Sequence, residues 1–89
     1  MEYIDRQQGI ELTNKDYSDV RRLNLHIEHN LNKDIMNDIL FENNMNKTRN
    51  HHANIDIMVW KLYKNGLRLE MLSTEYKDMP LEWVIKLFI

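Results

Sequence analysis

The residues best suited to chemistry are four histidines, which fall in two pairs. His26 and His29 are three positions apart, a spacing that on a helix lets both imidazoles reach one metal ion, and His51 and His52 form the second pair. However, His26 and His29 fall on the face opposite the apolar side of their predicted helix, where histidine is ordinarily solvated. No cysteine is present to act as a ligand or nucleophile. We therefore expect no metal site.

The acidic residues do not form a catalytic set. Asp34 and Asp38 lie one helical turn apart, but a solvated polar face explains this spacing without a catalytic role. The only glycines are Gly9 and Gly66, which excludes a glycine-rich phosphate loop. A chain of 89 residues also has little interior in which to bury a pocket. The sequence predicts no enzymatic activity and no cofactor.

Basic residues form the clearest candidate binding set. Arg21 and Arg22 are adjacent in the first predicted helix, and the asparagine-rich stretch 43–54 carries four more groups that are positive or can become so. If the helix lies beside that stretch, all of them form one patch suited to phosphate or to an acidic protein surface. The predicted partner-binding residues are therefore Arg21, Arg22, Lys47, Arg49, His51 and His52.

The composition indicates one small domain covering residues 1–89. Hydrophobic residues make up 43% and charged residues 29% of the chain, which is typical of globular rather than disordered proteins. The net charge of −2 argues against a partner recognised mainly through phosphate charge. The amino terminus lacks a secretory pattern, and the longest apolar run, 83–89, is far shorter than the ~18–20 residues that span a bilayer. We therefore expect a cytoplasmic protein with no membrane span.

The first half of the chain predicts helices. Residues 1–12 fit one short strand or a loose hairpin, after which Thr13 is suited to cap a helix and Asp16 to its positive end. Apolar residues then recur at spacings of three and four: Tyr17, Val20, Leu23, Ile27 and Leu31. A second apolar group follows at Ile35, Met36, Ile39 and Leu40, centred about 140° around the helix axis from the first.

This rotation of the apolar face has two explanations. Residues 14–44 form either one long bent helix of about 46 Å or two helices separated by a break at Asn30-Leu31-Asn32. We favour the break, because the long helix exceeds the usual width of so small a domain and Asn32 can cap a second helix.

The second half predicts a loop followed by a β-hairpin. Residues 43–54 lack periodicity and are interpreted as a loop. The segment 55–74 also fits a helix capped by Gly66, but a type I′ turn at Asn65-Gly66 places apolar residues opposite apolar ones and opposite charges together. We therefore interpret it as a hairpin whose apolar face covers the helices.

The last segment predicts a short C-terminal helix, with Asp78 as cap and Pro80 in the first turn, although 81–89 fits an edge strand equally well. The predicted fold class is therefore α+β. Two helices in the N-terminal half, or one long bent helix, pack on a small antiparallel sheet built around the hairpin at about 55–74.

By elimination, we expect a small protein-interaction module. Asparagine, isoleucine, lysine and methionine are plentiful while alanine occurs once, a bias typical of AT-rich coding, so an inhibitor or regulator encoded by a phage or mobile element is the leading hypothesis. The alternative is a small nucleic-acid-binding module using Arg21, Arg22, Lys47 and Arg49. A third hypothesis is a homo-oligomer joined through the hairpin edge or the apolar C-terminal segment.

Overall fold

The fold is helical. A computed structural model describes residues 3–5, 10–45 and 51–89, in which four α-helices and one short 3-10 helix build the body of the protein. Their bounds are α1 Asn14–Asn30, α2 Lys33–Glu42, α3 His51–Lys64, the 3-10 helix Leu69–Ser73 and α4 Leu81–Phe88. Two three-residue strands, β1 Tyr3–Asp5 and β2 Ile10–Leu12, pair antiparallel with Tyr3 opposite Leu12. Residues 55–74 form helices and turns rather than the predicted sheet. The predicted α+β class is therefore wrong.

Helix α1 begins where the sequence predicts, with a reciprocal cap at Thr13. The Thr13 hydroxyl accepts a hydrogen bond from the backbone N–H of Asp16 at 3.3 Å, and the backbone N–H of Thr13 donates to the Asp16 carboxylate at 2.9 Å. Two N–H groups that have no partner within the helix are thereby satisfied.

The chain breaks between α1 and α2, as we favoured. Leu31 takes an extended conformation, and the Asn32 side chain accepts a hydrogen bond from the backbone N–H of Asp34 at 2.8 Å to start α2. Each helix now buries its own apolar face, which one straight helix could not do. The buried residues are Val20, Leu23 and Ile27 on α1, and Met36, Ile39 and Leu40 on α2.

Helix α2 ends in a Schellman motif centred on Asn44. Asn44 has a positive φ of 59°, the N–H of Met45 donates to the carbonyl of Leu40 at 2.8 Å, and that of Asn44 donates to Phe41 at 3.0 Å. The predicted loop 43–54 is partly wrong, because α3 already begins at His51. Residues 46–50 of that loop lie outside the described part of the chain.

The predicted hairpin at 55–74 is a helix and its C-terminal end. Gly66 has φ of 105°, but Asn65 does not have the positive φ that a type I′ turn also requires. Instead the N–H of Leu67 donates to the carbonyl of Leu62 and that of Gly66 donates to Tyr63, both at 3.0 Å. This is again a Schellman motif, so Gly66 ends α3 rather than turning a hairpin.

After α3 the predicted second strand is replaced by turns and the 3-10 helix, and α4 follows. Of the two interpretations of 81–89, the helix is confirmed and the edge strand is wrong. Its predicted cap is wrong, since Pro80 is the residue before the first turn and no side chain caps it. The Asn65 side chain donates to the backbone carbonyl of Phe88, and the rings of Tyr76 and Phe88 meet edge to face at 5.8 Å. The first contact holds α4 beside the end of α3, and the second holds it against the turns that follow the 3-10 helix.

Helix α3 occupies the centre of the fold and packs against α1, α2 and α4. Its residues Ile55, Met58, Val59 and Leu62 are buried at spacings of three and four, as on any amphipathic helix. Tyr63 adds to the core from the same helix, and the neighbouring segments supply the rest: Val20, Leu23, Ile27, Leu31, Met36, Ile39, Leu40, Met45, Leu67, Val84 and Ile85. Within the described residues, no helix has the length and apolar content to cross a membrane.

Candidate protein-interaction surfaces

Helices α1 and α3 run antiparallel and meet along a line of polar and aromatic contacts, which we call the α1–α3 seam. Residues near the start of α1 contact residues near the end of α3, and residues near the end of α1 contact its beginning. The pairs, in order, are Asp16 with Tyr63, Tyr17 with Trp60, Asn24 with Asp56, and Glu28 with His52.

One end of the seam is closed by a cluster of three residues. The Tyr63 hydroxyl, on a side chain that is almost fully buried, donates to the Asp16 carboxylate at 2.6 Å. The Arg68 guanidinium lies 3.7 Å from the centre of the Tyr63 ring and donates to the backbone carbonyls of Tyr63 and Leu67 at 2.8 and 2.9 Å. Each polar group in this cluster already has a partner.

The electrostatics of this cluster oppose a role in proton transfer. The hydrogen bond from Tyr63, followed by the one from the Thr13 backbone, lowers the pKa of Asp16 below its ordinary value. Burial, and then the hydrogen bond to Asp16, raises the pKa of Tyr63 to about 12, although the nearby Arg68 acts in the opposite direction. Near neutral pH the carboxylate is therefore ionised and the phenol protonated, which is the arrangement of a structural hydrogen bond.

Further along the seam the two helices separate into an open groove of about 430 Å3, the α1–α3 groove. Its walls are mostly apolar, and the rings of Tyr17 and Trp60 meet edge to face at 5.2 Å. The Asn24 amide donates to the Asp56 carboxylate inside it. The groove is lined by Tyr17, Val20, Arg21, Asn24, Leu25, Asp56 and Trp60.

The two adjacent arginines of the predicted binding set have different surroundings. Consecutive residues on a helix point about 100° apart. The Arg22 side chain therefore points toward the 3-10 helix, where its guanidinium donates to the Glu70 carboxylate at 3.3 Å. The same guanidinium lies 3.7 Å from the carboxylate of Asp19 on α1. Arg21 lines the groove and makes no hydrogen bond or ion pair with any described residue. It is the more available of the two guanidinium groups.

A second depression, of about 370 Å3, lies between α1 and the 3-10 helix. Its charged groups, Arg22 and Glu70, are bonded to each other across it. A ligand would have to replace that ion pair, so this depression is the less suitable binding site.

The histidines do not assemble a site in the described part of the chain. The His52 side chain is 85% exposed, with Nδ1 3.8 Å from the Glu28 carboxylate at the end of the seam. His51 starts α3, and nothing further is described of its side chain. Within residues 3–5, 10–45 and 51–89, no three histidine, aspartate or glutamate side chains lie close enough to hold a metal ion. The predicted residues Lys47 and Arg49 lie outside the described residues.

Helix α4 displays an outer apolar surface, which we call the α4 face. Val84 and Ile85 are buried against the core, whereas Trp83 and Leu87, one turn apart, are 62% and 61% exposed. They are among the largest apolar groups that the described residues leave in contact with water. The sequence predicted a helix here and offered the apolar C-terminal segment as a possible contact between two copies of the chain, which stays a prediction.

Sequence reasoning missed the groove because of the hairpin interpretation. Alternation along a strand puts Asp56 and Trp60 on the same face as Met58 and Leu62, whereas a helix separates these pairs. With α3 as a helix, Asp56 and Trp60 lie one turn apart on the face toward α1. The competing helical periodicity of 55–62 was the signal that could have found this surface.

Comparison with known proteins gives no assignment. The chain matches no protein-family profile, and neither a curated protein nor a solved structure shows significant similarity to it. The function is therefore inferred from the surfaces described above.

Proposed function

We propose that this protein is a small protein-interaction module that binds a macromolecular partner, as an inhibitor or regulator encoded by a phage or mobile element. The observation that carries this proposal is the α4 face. Trp83 and Leu87 stay about three-fifths exposed although the neighbouring Val84 and Ile85 are fully buried. Within α4, these two large apolar side chains lie one turn apart on the side away from the core.

The composition of the α4 face is that of an interface centre. Tryptophan contributes more often than most residues to binding energy at protein interfaces, and contiguous apolar surface commonly marks a docking site. Glu82 and Lys86 lie beside Trp83 and Leu87 on the same helix. They supply the charged rim that surrounds an apolar centre in many interfaces.

The polar groups of the described residues give an enzyme little support. Tyr63, whose pKa is raised to about 12, and Asp16, whose pKa is lowered, are engaged with each other in a structural hydrogen bond. Perturbed groups point to catalysis when they face a cleft, and these two close the end of a helix pair instead. The absence of enzymatic activity stays a prediction.

An affinity capture experiment tests the proposal. The tagged protein is incubated with a lysate of the cells that encode it, at low and high salt, with and without nuclease. We expect a protein partner that survives high salt and nuclease, because an apolar interface depends less on salt than phosphate contacts do. Loss of capture with salt or nuclease would instead support the nucleic-acid alternative, and failure to capture any protein would count against the proposal.

Two variants locate the contact. Replacing both Trp83 and Leu87 with serine removes the α4 face without changing a buried residue, so we expect capture to fall at least about tenfold, or ~1.4 kcal/mol in binding. Phe41→Ser is the matched control, because Phe41 is 74% exposed on α2 and lies in neither surface. Equal capture by both variants would contradict a role for the α4 face.

A further inference from the structure

We infer that the α1–α3 groove binds an amphipathic helix of a partner protein, in which an acidic side chain beside an apolar residue pairs with Arg21. This inference rests on the proposed function and names a second contact surface and its chemistry. The observation that carries it concerns the arginines of the described residues. Arg22 and Arg68 have hydrogen-bond partners, whereas Arg21 has none among those residues.

Arg21 is the charged group left available in the groove. Arg22 donates to Glu70, and Arg68 donates to two backbone carbonyls and covers the Tyr63 ring. Arg21 has no such partner among the described residues. A guanidinium remains charged at all accessible pH values and presents a planar set of donors that matches a carboxylate. Its natural complement is therefore an aspartate or glutamate of the partner.

The walls of the groove add an apolar anchor site. Tyr17 and Leu25 from α1 and Trp60 from α3 face this space, and Leu25 is 47% exposed. The groove is open along the surface, with a volume of about 430 Å3, so side chains of a partner can enter it. An apolar side chain seated here would also exclude water from the neighbouring ion pair, which strengthens the attraction between its charges.

Asp56 determines where the charges of the partner can lie. Its carboxylate accepts a hydrogen bond from Asn24 and can accept more. Asn24 is three residues beyond Arg21 on α1, about 4.5 Å along the helix axis. An acidic group is attracted at Arg21 and repelled at Asp56, while a basic group has the opposite preference. The groove thus favours a helix with one acidic and one basic residue a turn apart, rather than a uniformly negative nucleic acid.

Selection from a randomised library of short helical peptides tests this inference. The probe is the library itself, displayed and selected in parallel against the wild-type protein, Arg21→Glu and Lys33→Glu. Lys33 is exposed on α2 and gives the same change of charge away from the groove. We expect the wild type and Lys33→Glu to enrich peptides with Asp or Glu one turn from Lys or Arg, beside an apolar residue. We expect Arg21→Glu to bind them at least about tenfold more weakly.

A second variant locates the apolar anchor. Leu25→Ser changes a half-exposed side chain of the groove and should weaken the same peptides with little effect on folding. The inference is overturned if no peptide is enriched, if the enriched peptides carry no acidic residue, or if they bind Arg21→Glu as well as they bind the wild type. A lysate partner that binds independently of Arg21 would overturn the groove inference while leaving the proposed function intact. Acidic peptides enriched without any lysate partner would support the groove and count against the proposed function.

Discussion

The closed end of the α1–α3 seam and the groove beside it contain similar residues but engage them to different extents. At the closed end, Asp16, Tyr63 and Arg68 bond to one another or to backbone carbonyls. In the groove, Asp56 has one amide donor and Arg21 has no partner among the described residues. A polar residue whose bonding capacity is used within the fold stabilises it, whereas one that retains capacity beside an apolar wall is available to a ligand.

Replacement of Asp16 should give the largest loss of stability at the closed end. Asp16→Ala removes the acceptor for Tyr63 and one half of the reciprocal cap with Thr13. We expect the free energy of unfolding to fall by about 2 kcal/mol, measured by urea denaturation. Asp16→Asn is the matched control, because it keeps an acceptor and should cost less. A loss of under about 0.5 kcal/mol for the alanine variant would mean that the closed end is not structural.

The same residue also makes the free energy of unfolding depend on pH under acidic conditions. The pKa of Asp16 is lowered in the folded protein, so its contribution is complete above the ordinary value of 3.8. That contribution is lost as the pH falls through the lower, folded-state pKa. We expect the free energy of unfolding of Asp16→Asn to change less with pH in this range, as measured by urea denaturation at several pH values.

Gly66→Ala should give the next largest effect. The added methyl group would meet nothing closer than the Phe88 ring at 4.0 Å, so the cost comes from holding alanine at a φ of 105°. We expect a loss of about 1.5 kcal/mol in thermal or urea unfolding. Asn44→Gly, at the equivalent position after α2, should instead stabilise the protein slightly. A hairpin turn would require positive φ at Asn65 as well. A helix end instead predicts that Asn65→Ala costs only the hydrogen bond to the Phe88 carbonyl, with no added cost of a positive φ.

Tyr63→Phe should cost about 1 kcal/mol near neutral pH, because it removes one hydrogen bond to an ionised acceptor. The folded-state pKa of about 12 lies above the ordinary value of 10.0. The contribution of Tyr63 is therefore complete below pH 10 and is lost as the pH rises toward 12. Tyrosinate absorbance should lose the component that titrates near pH 12 in this variant. Tyr76→Phe is the control, since its hydroxyl makes no hydrogen bond within the described residues.

Asp56→Asn should have the smallest effect on stability. The substituted side chain can still accept from Asn24, and both residues lie at the surface. We expect a change within about 0.5 kcal/mol in urea denaturation. In peptide selection, the same variant should lose the preference for a basic residue beside the acidic one. A large loss of stability would show that the groove is as structural as the closed end of the seam.

The α1–α2 region could be predicted because its signals are local. Thr13 and Asp16, which form the cap of α1, lie within four residues of each other. The rotation of the apolar face indicated the break before α2, and Asn32 caps the start of that helix. Each of these features depends on neighbours along the chain, so the sequence alone contains the required information.

The region 55–74 could not be decided in the same way. The dipeptide Asn65-Gly66 is typical both of a hairpin turn and of a helix end, because each needs a residue with positive φ. The apolar residues of this segment also fit the spacing of either a strand or a helix. The core settles the choice, because burial of Ile55, Met58, Val59 and Leu62 requires a helical face toward α1, α2 and α4. The groove depends on that packing, so Arg21 could be named from the sequence but Trp60 and Asp56 could not be placed beside it.

The antiparallel seam also bears on how the chain folds. The Asn24–Asp56 contact closes a segment of 32 residues and the Asp16–Tyr63 contact one of 47. The loop-closure entropy of the two contacts, each formed alone, differs by only about 0.3 kcal/mol, so chain connectivity favours neither of them strongly. The rates of the Tyr63→Phe variant place its contact on the pathway. Slower folding would mean that the contact is already formed in the transition state, and faster unfolding would mean that it forms afterwards.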